Sequence, residues 1–354
     1  MKVLSMLNDE KNLVLLKHIC SGKGVSVNIS VLSRLLGKHR NTIKERVACL
    51  FERGIIDRPV FPFIRLLNEY PLLVVARADL PHSRKIEQWM MDDENVFAAF
   101  KIREEEFNTM LFEFHTSLHG QYMWRESLVE KGVIPSRDTR FPSSALFFSN
   151  RLIVKYEPSI GLKLIEQEVE KQGYSDIDGY ELKHLDFEIL MHLLQGRGIK
   201  VNENFLSGEV GLSRRAVQNR ILKMIKERII LNPLCRFSHF FVPPGFIFAF
   251  SLVEVKKYRE DILLQWLKDP HLSIIYRTST GRYNFLLFAN HRSVEDHLLW
   301  EEKYATMYPD CFGLASINLL TPKMTVSIDQ QKVSLGIIER RLKEVRKGKP
   351  SKQD

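Results

Sequence analysis

The chain has 354 residues, 44% apolar and 27% charged, and its 52 lysines and arginines outnumber 43 aspartates and glutamates for a formal net charge of +9. Such a composition supplies several packed cores and excludes a fibrous or intrinsically disordered chain, and no run of 18 apolar residues offers a membrane-spanning helix. The basic excess favours polyanionic partners.

Taken in order, the first segment has helical spacing over residues 9–21, 29–36 and 40–53, with Gly54 placed to cap the third helix. The stretch IIDRPVFPFIRLL reads as a short wing hairpin. A buried-type strand follows at Leu72–Leu80, then a helix from Pro81 to Met91. Strands are expected at Asn95–Ile102 and Phe107–His115, a helix at Leu118–Lys131, and a last strand at Ala145–Tyr156. The order β-α-β-β-α-β is that of the ferredoxin-like split unit. A charged helix, Ile160–Gln172, and the turn-rich GYSDIDGYE form a linker. The same series then recurs: helices near 184–195, 203–210 and 214–228, a wing in LNPLCRFSHFF, and strands 246–255, 272–278, 283–290 and 312–320 with helices 258–268 and 293–307. A charged helix and basic tail close the chain.

The recurrence is residue by residue. A shift of 174 carries Gly37 onto Gly211 and lays Leu13–Ile56 on Phe187–Ile230 without a gap. Gly22-x-Gly24 meets Gly196-x-Gly198, Arg46 meets Arg220, and the four tryptophans fall into two matched pairs, Trp89 with Trp266 and Trp124 with Trp300. A unit of this length is a two-domain module rather than a solenoid repeat. The expected fold class is therefore α+β, with two copies of a winged helix-turn-helix head followed by a ferredoxin-like βαββαβ domain. The heads span residues 1–66 and 183–242 and the ferredoxin-like domains 67–157 and 243–332, with the linker at 158–182 and the charged tail at 333–354.

The segment that carries chemistry is Gly211–Ile230. Val217, Ile221, Met224 and Ile225 make one apolar helix face, and Arg215, Gln218, Asn219, Leu222, Lys223 and Lys226 make the opposite one. Those polar types bond base edges and phosphates, and a basic second helix after a tight turn is what enters a major groove. Ser213 is placed as the N-cap, and it and Arg214 join Arg215, Gln218, Asn219, Lys223 and Lys226 as the expected DNA-binding residues, with Lys38, His39, Arg40, Asn41 and Lys44 in the first copy. The corresponding face in the first copy holds Asn41, Lys44, Glu45, Ala48, Cys49 and Glu52, a net −1 against +3, with Lys38, His39 and Arg40 adding charge at its entry. Arg46 and Arg220 lie on the flank between faces, as internal ion-pair partners or as DNA contacts. The bland alternative for either helix is an ordinary solvated charged face.

These residues resemble the Lrp/AsnC (feast/famine) regulators, which join a winged helix-turn-helix to a βαββαβ ligand-sensing and oligomerisation domain. The matching pieces are Leu185-Asp186-x-x-Ile189-Leu190, GLSRRAVQNRI…RII, Pro244-Gly245 at the hinge, and Gly281-Arg282-Tyr283-Asn284 in the turn before the third strand. The resemblance implies a sequence-specific transcription regulator that binds double-stranded DNA and responds to an amino acid or related metabolite at Gly281, Arg282, Tyr283 and Asn284. Family members normally carry one module, so this chain is expected to form an intramolecular pseudo-dimer with sheets packed face to face, or a homo-oligomer. The first copy has Glu105 where the second has Gly281, a departure from the family's pattern in the turn used near the effector.

His115 and His119 have the i, i+4 spacing of a metal pair, but no third ligand accompanies them, and a surface or capping role is favoured. The tryptophans read as core. Four cysteines without CxxC spacing fit free thiols, and the N-terminal stretch lacks a signal-peptide cleavage site, so the chain is read as cytoplasmic, with no cofactor, no metal and no membrane partner. No hydrolase, kinase or zinc-protease motif occurs. One enzyme reading remains, because sirohaem decarboxylases also pair such a head with such a domain. His115, His119 and Arg103 are the residues this chain offers for that chemistry.

Overall fold

The computed structural model describes residues 6–63, 70–103, 106–134, 143–149, 152–239, 242–278, 282–321, 324, 328–329 and 331–348. The first head comprises α1 (Glu10–Cys20), β1 (Val25–Val27), α2 (Ile29–Leu36) and α3 (Arg40–Glu52). Asp9 and Asn28 cap α1 and α2 by accepting from Asn12 N and Val31 N, which satisfies donors that a helix start leaves unpaired. The first ferredoxin-like domain follows as β2 (Leu72–Ala78), α4 (Arg84–Asp92), β3 (Val96–Lys101), β4 (Thr109–His115), α5 (Leu118–Glu130) and β5 (Ser143–Ser149). Next come β6 (Ile153–Tyr156), α6 (Leu162–Gln172), and the hairpin β7 (Tyr174–Ile177) and β8 (Tyr180–Lys183). The second copy contributes α7 (His184–Leu194), β9 (Ile199–Val201), α8 (Glu203–Val210) and α9 (Arg214–Lys226). It continues with β10 (Ile247–Val255), α10 (Glu260–Lys268), β11 (Leu272–Arg277), β12 (Phe285–His291), α11 (Val294–Met307), β13 (Phe312–Leu320) and a terminal helix α12 (Lys332–Lys347).

Each domain sheet is antiparallel, in the order β3-β4-β2-β5 for the first copy and β13-β10-β12-β11-β6 for the second. One face of each sheet is covered by its own two helices, and the other is apolar and must find a partner. The partner is the other sheet. Phe100 stacks on Phe248 at 5.7 Å, Phe112 meets Phe250 edge-on at 5.5 Å, and Phe148 lies 5.9 Å from Tyr276. Phe112, Phe250 and Phe288 are fully buried there. Truncating such a ring to alanine costs about 3–5 kcal/mol. The expected face-to-face pseudo-dimer is thus built within one chain.

Three local expectations change. The single strand read at 145–156 is two strands: β5 closes the first sheet, and β6 crosses to pair antiparallel with β11 at the edge of the second, Lys155 opposite Ile275. The turn-rich linker is the β7–β8 hairpin, turning through Asp178 and Gly179 with positive φ. The described parts of the wing segments bridge each other, with Ile56 opposite Phe237, Val60 opposite Leu234 and Phe63 opposite Ile230, while residues 64–67 and 240–241 of the expected wings lie outside the described residues.

The heads join by a second inter-copy ladder, β1 antiparallel to β9, with Ser26 opposite Lys200. Asn28 N donates to Gly198 O and Asn202 N to Gly24 O, both at 2.7 Å. This explains the repeated glycines. Gly24 and Gly198 have φ of +74° and +71°, and a Cβ on Gly24 would lie 2.9 Å from Leu206 of the other head, while one on Gly198 would strike Leu32. Helix α3 packs on α7 and α8 on α1, so each head is supported by the other. Helices α6 and α12, equivalent in the repeat, also cross over: α6 packs on α7, and α12 packs on α1, with ion pairs Lys17–Glu339 and Arg346–Glu10 at 2.9 Å.

Gly198→Ala should destabilise the paired heads by about 1–3 kcal/mol, from crowding against Leu32 together with positive-φ strain. Urea denaturation followed by far-ultraviolet circular dichroism measures it; an unchanged midpoint would contradict the close approach.

Candidate functional site

Helix α9 begins at Ser213, whose hydroxyl accepts from Ala216 N at 3.3 Å, directly after Gly211 ends α8 in the left-handed conformation. Its buried face is Val217, Ile221 and Met224. Arg215, Gln218, Asn219, Lys223 and Lys226 are all exposed, and Leu222 is 58% exposed among them. Arg215, Lys223 and Lys226 enter no ion pair among the described residues. Arg214 turns back instead to Glu203 at the start of α8, 2.6 Å away. Three free cations and two amides on one uncovered helix face form a surface able to bond phosphates and base edges.

The first reading helix is a different surface. Lys38, His39, Arg40, Asn41 and Lys44 are exposed at its entry, and the His39 ring nitrogen caps the helix by accepting from Asn41 N. Glu45 and Glu52 are exposed alongside them. Toward the C-terminal end, Tyr180 of the linker hairpin stands against the helix, with the Arg53 guanidinium 5.0 Å above its ring. Burial beside Asp186 pushes the Tyr180 hydroxyl up to about 12, so it stays a neutral hydrogen-bonding group next to Cys49 and Arg46. The half-buried Cys49 therefore belongs to a packed flank rather than to a free face.

The two flanking arginines are internal. Arg46 of the first head reaches the carboxylate of Asp186 in the second at 3.1 and 3.3 Å, and Asp186 is fully buried. Arg220 of the second head reaches Asp9 of the first at 2.9 Å and bonds Asn12, the residue equivalent to Asp186. Sequence spacing placed both on a flank but not which partner they face, because the partner belongs to the other copy.

In the second ferredoxin-like domain, Gly281 lies outside the described residues. Arg282 is exposed and 3.4 Å from Glu254. Tyr283 packs against the core between the sheets. Asn284 is tied into the turn, accepting from Val255 N at 2.8 Å and donating to Val255 O at 2.9 Å. Asn108 makes the same pair of bonds to Leu80 in the first copy, so this asparagine holds the turn in both.

The residues offered for tetrapyrrole chemistry are separated by burial. His115 is buried, bonded to Glu113 at 3.1 Å and packed on Trp124, whereas His119 and Arg103 are exposed. Glu105 lies outside the described residues. The tryptophans pack as expected, and three of the four also carry a polar anchor. Trp89 and Trp124 donate to Asp93, and Trp300 donates to Asp269, each at 2.9 Å.

Around Asp269 the structure gathers residues that the sequence reading did not single out: His271, His291, His297 and Asp296. His271 and His291 stack with ring centres 4.9 Å apart, and His297 stands edge-on to His291 at 4.7 Å. Burial holds His297 down at about 4, while Asp269 and Asp296 on either side raise His271 to about 9 despite burial. A signal did exist: the first copy has Asn95, Gly120 and Gln121 where the second has His271, Asp296 and His297.

No family model matches the chain, and no curated protein matches it by sequence. Among solved structures it is similar to the sirohaem decarboxylase NirDL, at 14% identity over 96% of this chain and 99% of that one, with a TM-score of 0.50. It is also similar to AsnC of E. coli, at 16% identity over 33% of this chain and 78% of that one, TM-score 0.28, and to LrpC of B. subtilis, at 14% identity over 46% and 91%, TM-score 0.26. The chain has a tandem Lrp/AsnC-like fold. The likeness over nearly the whole chain is to the decarboxylase, and at 14% identity it shows the fold alone. Among the described residues no helix is long and apolar enough to cross a membrane.

Arg46→Ala should cost about 1–3 kcal/mol of stability, because it leaves the buried Asp186 carboxylate without its cation. It should leave affinity for any duplex unchanged. Paired thermal melts and gel shifts check this; a loss of affinity without loss of stability would make Arg46 a nucleic-acid contact.

Proposed function

We propose that the chain is a DNA-binding regulator that engages duplex DNA chiefly through α9 of the second head. A fold shared by an enzyme and by regulators leaves the decision to the sites. The observation that carries the reading is the uncovered face of α9, where Arg215, Gln218, Asn219, Lys223 and Lys226 are exposed together and the three cations have no acidic partner among the described residues. Phosphate contacts supply most of the affinity of such an interface, and arginine and amide side chains discriminate bases. The first head, with Glu45 and Glu52 exposed on α3 and Tyr180 against its flank, contributes less.

The effector, an amino acid or related metabolite, is assigned by resemblance to the turn at residues 281–284. Gly281→Glu should abolish ligand-induced stabilisation with the fold intact; a thermal shift that survives the substitution would place the ligand elsewhere.

A second reading has its own support. The likeness to NirDL spans both modules and both heads, and a tandem of this fold in one chain is the arrangement of that enzyme. A tetrapyrrole-acting enzyme would bind an iron tetrapyrrole with a shifted Soret band and show no salt-dependent affinity for duplex DNA.

Gel-shift titration with genomic duplex fragments at two salt concentrations separates the readings. Arg215→Ala should cost about 1–3 kcal/mol if the arginine grips a base, and Lys223→Ala should lower the salt slope by about one. Unchanged affinity in the double variant, together with tight tetrapyrrole binding, would overturn the regulator reading in favour of the enzyme.

A further inference from the structure

The histidine cluster of the second ferredoxin-like domain presents donors without acceptors. His291, at the end of β12, is 0% exposed, and among the described residues neither of its ring nitrogens has a hydrogen-bond partner. Its nearest polar neighbour is Asp296 in the first turn of α11, whose Oδ2 lies 3.6 Å from His291 Nδ1 and 3.7 Å from His271 Nε2. Buried polar atoms are nearly always paired, so an orphaned imidazole facing a carboxylate and a second imidazole calls for a bound group.

The three donors, one from each residue, lie within 4.8 Å of one another. Ligand atoms bound at about 2.0–2.2 Å around a tetrahedral ion stand roughly 3.3 Å apart, so the two Asp296 contacts need to close by only a few tenths of an ångström, while the widest side of the triangle must close by about 1.5 Å as the ion draws the ligands in. The outer layer is also in place. His271 Nδ1 sits 3.0 Å from Asp269 Oδ1, which orients the ring with Nε2 toward Asp296, where a bound cation would displace its proton. Asp269 is held in turn by Trp300, Tyr304 OH at 2.7 Å and His271 N at 2.8 Å. Asp296 is oriented by Arg292 N at 2.9 Å. Its side chain is 36% exposed, which gives an ion a way in.

The first copy is a built-in control. Phe114 N donates to Asn95 O as Asn290 N does to His271 O, and Ser117 caps α5 as Ser293 caps α11, so the backbones correspond. There His115 is satisfied by Glu113, Asn95 replaces His271 and Gly120 replaces Asp296. In the second copy Ala289 stands where Glu113 did, and the histidine is left free for another ligand.

We infer that His271, His291 and Asp296 form a binding site for one zinc-class divalent metal ion, which staples α11 to the β11–β12 pair and keeps a position open to water. Two imidazoles and one carboxylate with an open position suit zinc and its first-row neighbours, not calcium or magnesium. The site stands apart from the DNA reading and survives its failure. It was not legible at the i, i+4 spacing around His115, because its ligands come from three elements.

The test strips full-length protein with a chelator and titrates it with zinc alone, followed by metal analysis and by the visible spectrum of the cobalt-substituted form. The expected result is one zinc per chain, a raised melting temperature, and a cobalt spectrum without thiolate bands. His291→Gln and Asp296→Asn should each weaken binding more than ~100-fold, and Asp269→Asn by ~10–100-fold. Asp296→Asn keeps the acceptor for Arg292 N, and circular dichroism in metal-free buffer confirms its fold, so it carries the test if His291→Gln fails to fold. Absence of zinc binding, two ions per chain, cysteine ligation, or undiminished affinity in Asp296→Asn would overturn the site. The cluster would then be a protonated His271 held between two aspartates.

Discussion

Two sheets, each covered by helices on one side only, bury their remaining faces on each other, and the placement of everything else follows. Phe100, Phe112, Phe248, Phe250 and Phe288 fill the space between them in stacked and edge-on contacts. Such burial is the dominant favourable term in a fold of this kind, and neither sheet finds it alone. With the sheets docked, the chain leaving the first domain lies against the edge of the second, where β6 adds to β11. The heads are brought into reach, pair through β1 and β9, and exchange arginines: Arg46 to Asp186, Arg220 to Asp9. The last helix, α12, returns to α1, so the end of the second module rests on the start of the first.

Joining the two modules in one chain frees each copy to change alone. In a dimer of identical chains every substitution appears twice, related by the two-fold axis. Here the paired positions of the reading helices are Asn41 and Arg215, Lys44 and Gln218, Glu45 and Asn219. In the ferredoxin-like domains they are Asn95 and His271, Gly120 and Asp296, Glu113 and Ala289. The positions that hold the copies together have changed far less, as Gly24 and Gly198 and Arg46 and Arg220 show; within each domain the Asp93 and Asp269 anchors are also kept. Both divergences favour the second copy, which carries the more basic reading face and the histidine cluster.

Much of this was legible in the sequence. Helical periodicity located α3 and α9 and separated their buried and exposed faces, and the ungapped repeat gave the two-module plan. What escaped was pairing between copies. Periodicity reports which side of an element is buried, not what covers it, so the wing segments read as separate hairpins, and Arg46 and Arg220 could be placed on a flank without a partner. The turn signals of GYSDIDGYE were correct for the tight turn at Asp178-Gly179 but do not show that the flanking residues pair as β7 and β8. The strand read at 145–156 is two because its two apolar runs lie in different sheets, and the polar Ser149-Asn150-Arg151 between them was the signal passed over. The histidine cluster lay in plain view as a difference between copies, and spacing rules for metal pairs on one helix do not find ligands drawn from three elements.

The most direct measurement is hydroxyl-radical footprinting of the protein–DNA complex, with native mass spectrometry to fix the number of chains per site. If the heads have diverged as proposed, one chain protects an asymmetric site, with its strongest major-groove contacts on the side of the second head. A short, perfect palindrome protected equally on both halves by a single chain would contradict the account.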